Sequence, residues 1–396
     1  MKSLSIYLLV LLPVSVLIPW APLVGPINTS DILPILGGAG ACWLLMSNAD
    51  THSVTPFPWR VLLALGVGML GSHCIGHWET FGVGVSGRTL GRMLLYAAVG
   101  LGITSFFDDR EISLLGRVFT IVVLTEASIG VVAVLIGVPG PLGLGVVDYP
   151  PGHFPADGWA RAQGTFGGVL PAGEEFLNRA NFYSAYLVIG LFVVADRFAK
   201  RPRFLLPAVS LILLGILASG SRMSLLAALV GLAVFMSFSG KIKTLLAGVV
   251  ISLATVLAYE PIRARFLNLT TDRLDLWGHA LRVTASAPWL GVGDGHYLTA
   301  ARELSLQTSA VIHSPHHSIL YAAASYGLLT ALGLIALYVS MLWYAFKQRK
   351  EQPALLAMAV AFILHDMTNN LFFIPEVALS FWLAWAYFTK KDAASA

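Results

Sequence analysis

Charge is scarce in this 396-residue chain: Asp, Glu, Lys and Arg make up 12% of it, against 57% hydrophobic residues and a mean hydropathy of +0.76. That scarcity excludes an ordinary soluble domain, in which about a quarter of the residues are charged, and puts the chain in a bilayer. Cysteine is scarcer still. Cys42 and Cys74 lie in or beside apolar segments, which excludes a disulfide framework and leaves the redox compartment unread. Repeats, low-complexity tracts and a separate soluble domain are also absent, so residues 1–396 read as a single integral membrane domain. No H-E-x-x-H occurs, no D-x-D stands in the candidate outer loops, and "TDRLD" has the wrong spacing to hold a divalent ion. His313 and His316, three apart, and His73 and His77, four apart around Cys74, leave a metal alternative open. The expectation is no metal and no cofactor.

What is present is a series of apolar segments, near 4–24, 32–46, 58–76, 92–107, 118–138, 181–196, 204–219, 223–238, 244–259, 318–346, 354–370 and 375–389. They predict an all-α, polytopic protein with about twelve spans, some of them tilted, broken or re-entrant where Gly and Pro interrupt them. The first segment reads as a span rather than a leader, because it is long and many more follow. Basic runs in "DRFAKRPRF", "SGKIKT", "FKQRKEQ" and "TKKD" alternate with lysine-free connections, which predicts both termini on the cytoplasmic side. The outer connections include loops at 140–180 and 260–315 and the "SGSR" turn, Ser219 to Arg222.

On this layout all eight lysines face inward, whereas ten arginines face outward: Arg88, Arg92, Arg161, Arg179, Arg222, Arg263, Arg265, Arg273, Arg282 and Arg302. Topology alone disfavours both basic types on that face. Salt bridges to Glu174, Glu175, Glu260, Asp272, Asp275 and Glu303 are one explanation. For the set, phosphate is the better one, because a guanidinium fork binds phosphate oxygens bidentately and keeps its charge when partly desolvated. Membrane lipids are expected partners and nucleic acid is not.

In "TTDRLDLWGHALRVTASAPWLGVGDGHY", Leu274, Trp277 and Leu281 recur at helical spacing and a Gly-rich turn ends the pattern. The bland reading is an interfacial helix anchored by Trp277. Arg273 and His279 would then sit beside that anchor. Further on, "HSPHHSILYAAASYGLLTAL" sets Pro315 at a helix start, with His316 and His317 at the positive end of the span that follows. That end disfavours imidazolium, and a neutral imidazole near physiological pH is a candidate general base. A histidine hydrogen-bonded at a helix start explains the same pattern. His365 and Asp366 in "AFILHDMTNN" are the nearest approach to an intramembrane polar pair, and their place near the outer end of a span favours a structural hydrogen bond.

These residues resemble the O-antigen ligase and polymerase family. His316-His317, nine residues, then Gly327 is similar to its His-Asn-x9-Gly-x-x-Gly signature, with His317 in place of Asn and Thr330 in place of the second Gly. "ASGSRMSLL" resembles its Ser-Arg-Gly turn, with Met223 replacing Gly. The stretch from Arg273 to Tyr297 resembles its Arg-x-x-x-Trp helix and Pro-x-x-Gly-x-Gly turn. "RAQGTFGGVLPAGEEFLNRANFYSAYL" resembles an expanded Arg-x-x-Gly-Thr-Phe and Pro-Asn segment, with Ala180 in place of the proline. Together these cover roughly residues 160 to 335.

The resemblance implies a fold related to the GT-C glycosyltransferases. It implies transfer of a glycan from undecaprenyl diphosphate on the periplasmic face of the inner membrane, with arginines in place of a divalent cation. On that footing the 140–180 and 260–315 loops form the periplasmic active-site face, His316 is the catalytic base, and Arg222, Arg273 and Arg161 bind the donor diphosphate. His313 and His317 support them, and the lipid A core is the acceptor. A polymerase using a second lipid-linked glycan, or a protein O-glycosylating enzyme, shares the chemistry with another acceptor. A transporter or flippase is a different class, but neither mid-membrane ionisable residues nor paired repeats are evident.

Overall fold

In hydrocarbon every backbone N–H and C=O must find its partner within its own segment, and this computed structural model is accordingly dominated by helices. It describes residues 2–17, 22–24, 27–28, 32–47, 64–67, 69, 86–136, 145–147, 161–164, 179–239, 250, 254, 273–293, 295–304 and 314–395. Most of the expected spans 58–76 and 244–259, most of the loops 140–180 and 260–315, and His73, Cys74, His77, Arg263, Arg265 and His313 lie outside the described residues.

The described helices are α1 (Lys2–Leu11), α2 (Ile32–Ser47), α3 (Ser86–Phe106), α4 (Asp109–Ile136), α5 (Ala180–Phe198), α6 (Pro202–Ala218), α7 (Arg222–Ser239), α8 (Arg273–Ser286), α9 (Tyr297–Glu303), α10 (Ser318–Tyr326), α11 (Leu328–Lys347), α12 (Pro353–Asp366) and α13 (Pro375–Ser395). Among the described residues, α4, α7 and α11 are long and apolar enough to cross a membrane, and five further apolar helices are shorter. This is a helical membrane protein.

The architecture departs from an all-α bundle in two places. The expected first span does not run to residue 24: α1 ends at Leu11, tightens into a 3₁₀ turn (Leu12–Leu17) containing Pro13, and gives way to an antiparallel pair, Pro22–Val24 with Ile27–Asn28. Proline's missing N–H and its clash with the preceding turn account for the stop. A second pair, Gly145–Val147 with Arg161–Gly164, lies in the 140–180 connection.

Helix α5 is the centre of the core. Its residues from Tyr183 to Ala195 are all buried, as expected of a helix apolar on every side. It packs against α4, α6, α7, α12 and α13. Helices α7 and α12 approach closely at Gly231, which faces the Ala357 carbonyl and the Ala361 methyl and has no room for a Cβ. At one end of the bundle Tyr387 donates to Asp196 (3.0 Å), Arg197 to the Ser113 carbonyl (3.3 Å) and Lys390 to the Thr104 carbonyl (3.1 Å). Two of the basic segments, those with Arg197 and Lys390, lie at that end.

The predicted span 318–346 is two helices lying side by side. Gly327, at φ 88° and ψ 168°, ends α10 and begins α11 in a backbone region open only to glycine. One carboxylate shows that the chain reverses there: Asp366 accepts from Ser318 of α10 (2.6 Å) through one oxygen and from Tyr338 of α11 (2.6 Å) through the other. Twenty residues of continuous helix would separate Ser318 from Tyr338 by about 30 Å.

The Gly-rich turn after α8 seals the reversal. Val292 N donates to Ala324 O (2.9 Å), Gly293 N to Ser325 O (2.9 Å) and Leu328 N to Pro288 O (2.8 Å), so groups orphaned by the break are satisfied by the turn. A Cβ on Gly327 would overlap the Trp289 carbonyl, and one on Gly291 would overlap the backbone of Ser325 and Tyr326. Gly327→Ala is therefore expected to destabilise the protein by on the order of 3 kcal/mol, from strain and backbone clash together. Thermal unfolding in detergent, with a Tm several degrees below the parent's, checks this.

Candidate active site

The Ser219–Arg222 turn is built from buried hydroxyls. Ser219 Oγ donates to Ile216 O (2.6 Å) and accepts from Ser221 N (3.1 Å), while Ser224 Oγ donates to Ser221 Oγ (2.7 Å) and lies 2.6 Å from Ser184 Oγ. Arg161, only 2% exposed, fastens the turn from the side. Its Nε donates to Ser219 O (2.5 Å) and its Nη2 to Asn181 Oδ1 (2.8 Å). Arg222 begins α7 directly after this turn and is half-buried.

Helix α8 brings the second arginine. Its buried face is Leu276, His279, Ala280, Val283 and Thr284, packed with Tyr297, Ala301 and Ala324. Leu274 (76% exposed) and Leu281 (57%) lie outside that packed face, as a stripe turned to the membrane interface would. Arg273 and Trp277, one turn apart, share a side of the helix. Trp277 Nε1 donates to Pro315 O (3.1 Å) and its ring meets the His317 ring edge-on at 5.5 Å. Arg273 stands near Arg222, and burial followed by that neighbouring charge pulls its pKa below the ordinary value. Among the described residues the ion pair at this end joins Arg179 to Glu376 (3.4 Å), and no acidic side chain pairs with Arg273. Arg282 faces His279 across 3.4 Å.

His316 is the single described non-glycine residue with positive φ, 50°. A side chain in that conformation costs about 1–2 kcal/mol, so the surroundings must hold it there. Pro315 is not in the first turn of α10, as the sequence suggested; it stands before the cap. The N-cap is His317, whose Nδ1 accepts from Leu320 N (3.5 Å). An asparagine at this position would present its Oδ1 to the same N–H, which explains why imidazole can replace the amide of the signature. Thr330, where a second Gly is usual, returns its hydroxyl to Tyr326 O (3.1 Å).

The last two polar groups come from the end of α12. His365 Nε2 is 3.1 Å from Ser224 Oγ, and Arg273 acts on His365 electrostatically. Asp366 also accepts from Phe372 N (2.8 Å), so the pair does the structural work its position suggested. Asn370 accepts from His317 N (2.6 Å) through Oδ1 and donates to Ser314 Oγ through Nδ2. Sequence reading missed Asn370; "TNN" carries no spacing that marks it.

The structure thus brings Arg222, Arg273, His316 and His317 to one end of the bundle, with Arg161 committed to the turn beneath Arg222. A helical membrane protein with paired arginines beside histidines at one end is the class these features define. Residues 207–335 match the family model described as O-antigen ligase. A curated O-antigen ligase from Pseudomonas aeruginosa is 29% identical over 189 residues, covering 46% of this chain and 45% of that relative, so the match spans less than half the length of either.

Burial lowers the His317 pKa from 6.5, favouring the neutral ring that can accept from Leu320. Its stabilisation is present above the unfolded value and is lost as pH falls through the folded one. Between pH 7.5 and 5 the parent is expected to lose more thermal stability than His317→Asn, whose cap does not titrate. Paired melting curves at the two pH values check this.

Proposed function

We propose that this protein is a membrane glycosyltransferase that moves a preassembled O-antigen glycan from undecaprenyl diphosphate to the lipid A core. The reaction takes place on the periplasmic face of the inner membrane, with both termini cytoplasmic, about twelve spans in all and a GT-C-like arrangement. The observation that carries the reading is the partly buried Arg273 beside the partly buried Arg222. A diphosphate matches both the charge and the fork geometry of two adjacent guanidinium groups partly out of bulk water. The family match over residues 207–335 supports the same donor class.

In this mechanism His316 takes the proton of an acceptor hydroxyl as its oxygen attacks the anomeric carbon. The bond from that carbon to the diphosphate oxygen breaks, undecaprenyl diphosphate leaves, and the anomeric configuration inverts. Arg222 and Arg273 stabilise the charge growing on the leaving group. Arg161, named from the sequence as a third phosphate ligand, contributes by fixing the turn that aims Arg222. His317 caps the helix behind the base. His313, outside the described residues, remains a supporting candidate. No divalent ion is required.

The test is incubation of purified protein, in metal-depleted buffer with excess EDTA, with undecaprenyl-diphosphate glycan and either lipid A core or a second molecule of donor. Glycan is expected on the core. Growth of the lipid-linked chain instead would identify a polymerase, and activity that returns only with Mg²⁺, Mn²⁺ or Zn²⁺ would restore the metal alternative.

Arg222→Lys and Arg273→Lys keep the charge and lose the fork, and each is expected to cost on the order of 2–4 kcal/mol of transition-state stabilisation, read as kcat/KM for the donor. Near-normal transfer by both variants would refute bidentate binding.

A further inference from the structure

The strained residue at the candidate base does not hold itself in place. Ser314, Pro315, His316 and His317 form a short segment before α10, and three contacts fix it from outside. Trp277 Nε1 reaches the Pro315 carbonyl, Asn370 Oδ1 takes the His317 N–H at 2.6 Å, and Asn370 Nδ2 donates to Ser314 Oγ. One carboxamide therefore grips the chain two residues before His316 and one residue after it.

Asn370 is well suited to this. Its acceptor and one of its donors are used on the two sides of His316, and a carboxamide presents both from one rigid plane. It sits at the start of the 3₁₀ turn Leu371–Phe373, where its own carbonyl accepts from Phe373 N (3.0 Å). Asp366, four residues earlier, takes Ser318 and Phe372 N. The backbone carrying Asn370 is thus tied to the same helix start that it clamps. Its contacts run to the segment around His316 rather than to either arginine.

We propose that Asn370 is a positioning residue for the transfer reaction: by clasping Ser314 and the His317 amide it holds His316 at positive φ, with its imidazole aimed at the acceptor hydroxyl. This rests on the reading of His316 as the base. The consequence is a separation of roles, in which Asn370 acts through the base and the arginines act on the donor diphosphate.

The experiment is steady-state kinetics of the full-length protein in detergent, with undecaprenyl-diphosphate glycan as the varied substrate and lipid A core in excess. The proteins are the parent, Asn370→Leu, Ser314→Ala, the double variant and His316→Ala, each normalised to folded protein by size-exclusion and thermal melting. Asn370→Leu keeps the side chain's volume and removes both bonds. Its kcat is expected to fall 30- to 100-fold with the donor KM within threefold of the parent's. Ser314→Ala, which loses one of the two bonds, is expected to fall less, and the double variant to match Asn370→Leu within twofold because the two residues act through one contact. A kcat for Asn370→Leu within threefold of the parent, a loss expressed in KM, or multiplied effects in the double variant would each overturn the assignment. His316→Ala separates the two levels. If it is inactive while Asn370→Leu is normal, only the clamp is wrong; if it is fully active, the base itself has been misassigned.

Discussion

A carboxylate buried away from water must have its oxygens satisfied by donors, and the Asp366 side chain is where this molecule meets that demand. Ser318, Tyr338 and the Phe372 amide supply the donors, and they come from α10, α11 and the turn after α12. Satisfying one group therefore fixes three segments at once. Helix α10 is held back against α11 instead of continuing it, and the segment bearing His316 and His317 ends where α7 and α8 present their arginines. Removing the donors would leave an unpaired buried acid, so the fold of this corner and the placement of the histidines stand together.

The same corner explains why two motifs that are separate in the sequence belong to one contact. The Gly of the histidine signature, Gly327, and the first Gly of the Pro-x-x-Gly-x-Gly turn, Gly291, each lack room for a side chain because each faces the other segment's backbone. Glycine at these two places is demanded by an approach between main chains. It follows from neither the local helix nor the local turn alone.

Much of this was legible in advance. Hydropathy located most of the described apolar helices, because lipid leaves few other solutions for an apolar chain. Residue chemistry singled out the arginines of one face and the histidines before α10, and the family resemblance drew Arg222, Arg273 and His316 from among them. The fold-back at Gly327 was hidden, since a helix, a break and a second helix have the same apolar composition as one long helix. The packed face of α8, Leu276, His279, Ala280 and Val283, could not be told from the stripe of Leu274, Trp277 and Leu281 by spacing, because which face turns inward depends on a partner distant in sequence. Asn370 was invisible for the same reason: its task exists only once Ser314 and His317 are beside it.

The pairing of Arg222 with Arg273 carries a consequence for the protein at rest. Like charges held close and partly out of water oppose folding, and an anion bound beside them relieves that cost. By mass action a ligand at a hundredfold excess over its dissociation constant adds about 2.7 kcal/mol to stability. On the proposed reaction, spent undecaprenyl diphosphate is such an anion, and its release would be opposed by the same electrostatics that grip the donor.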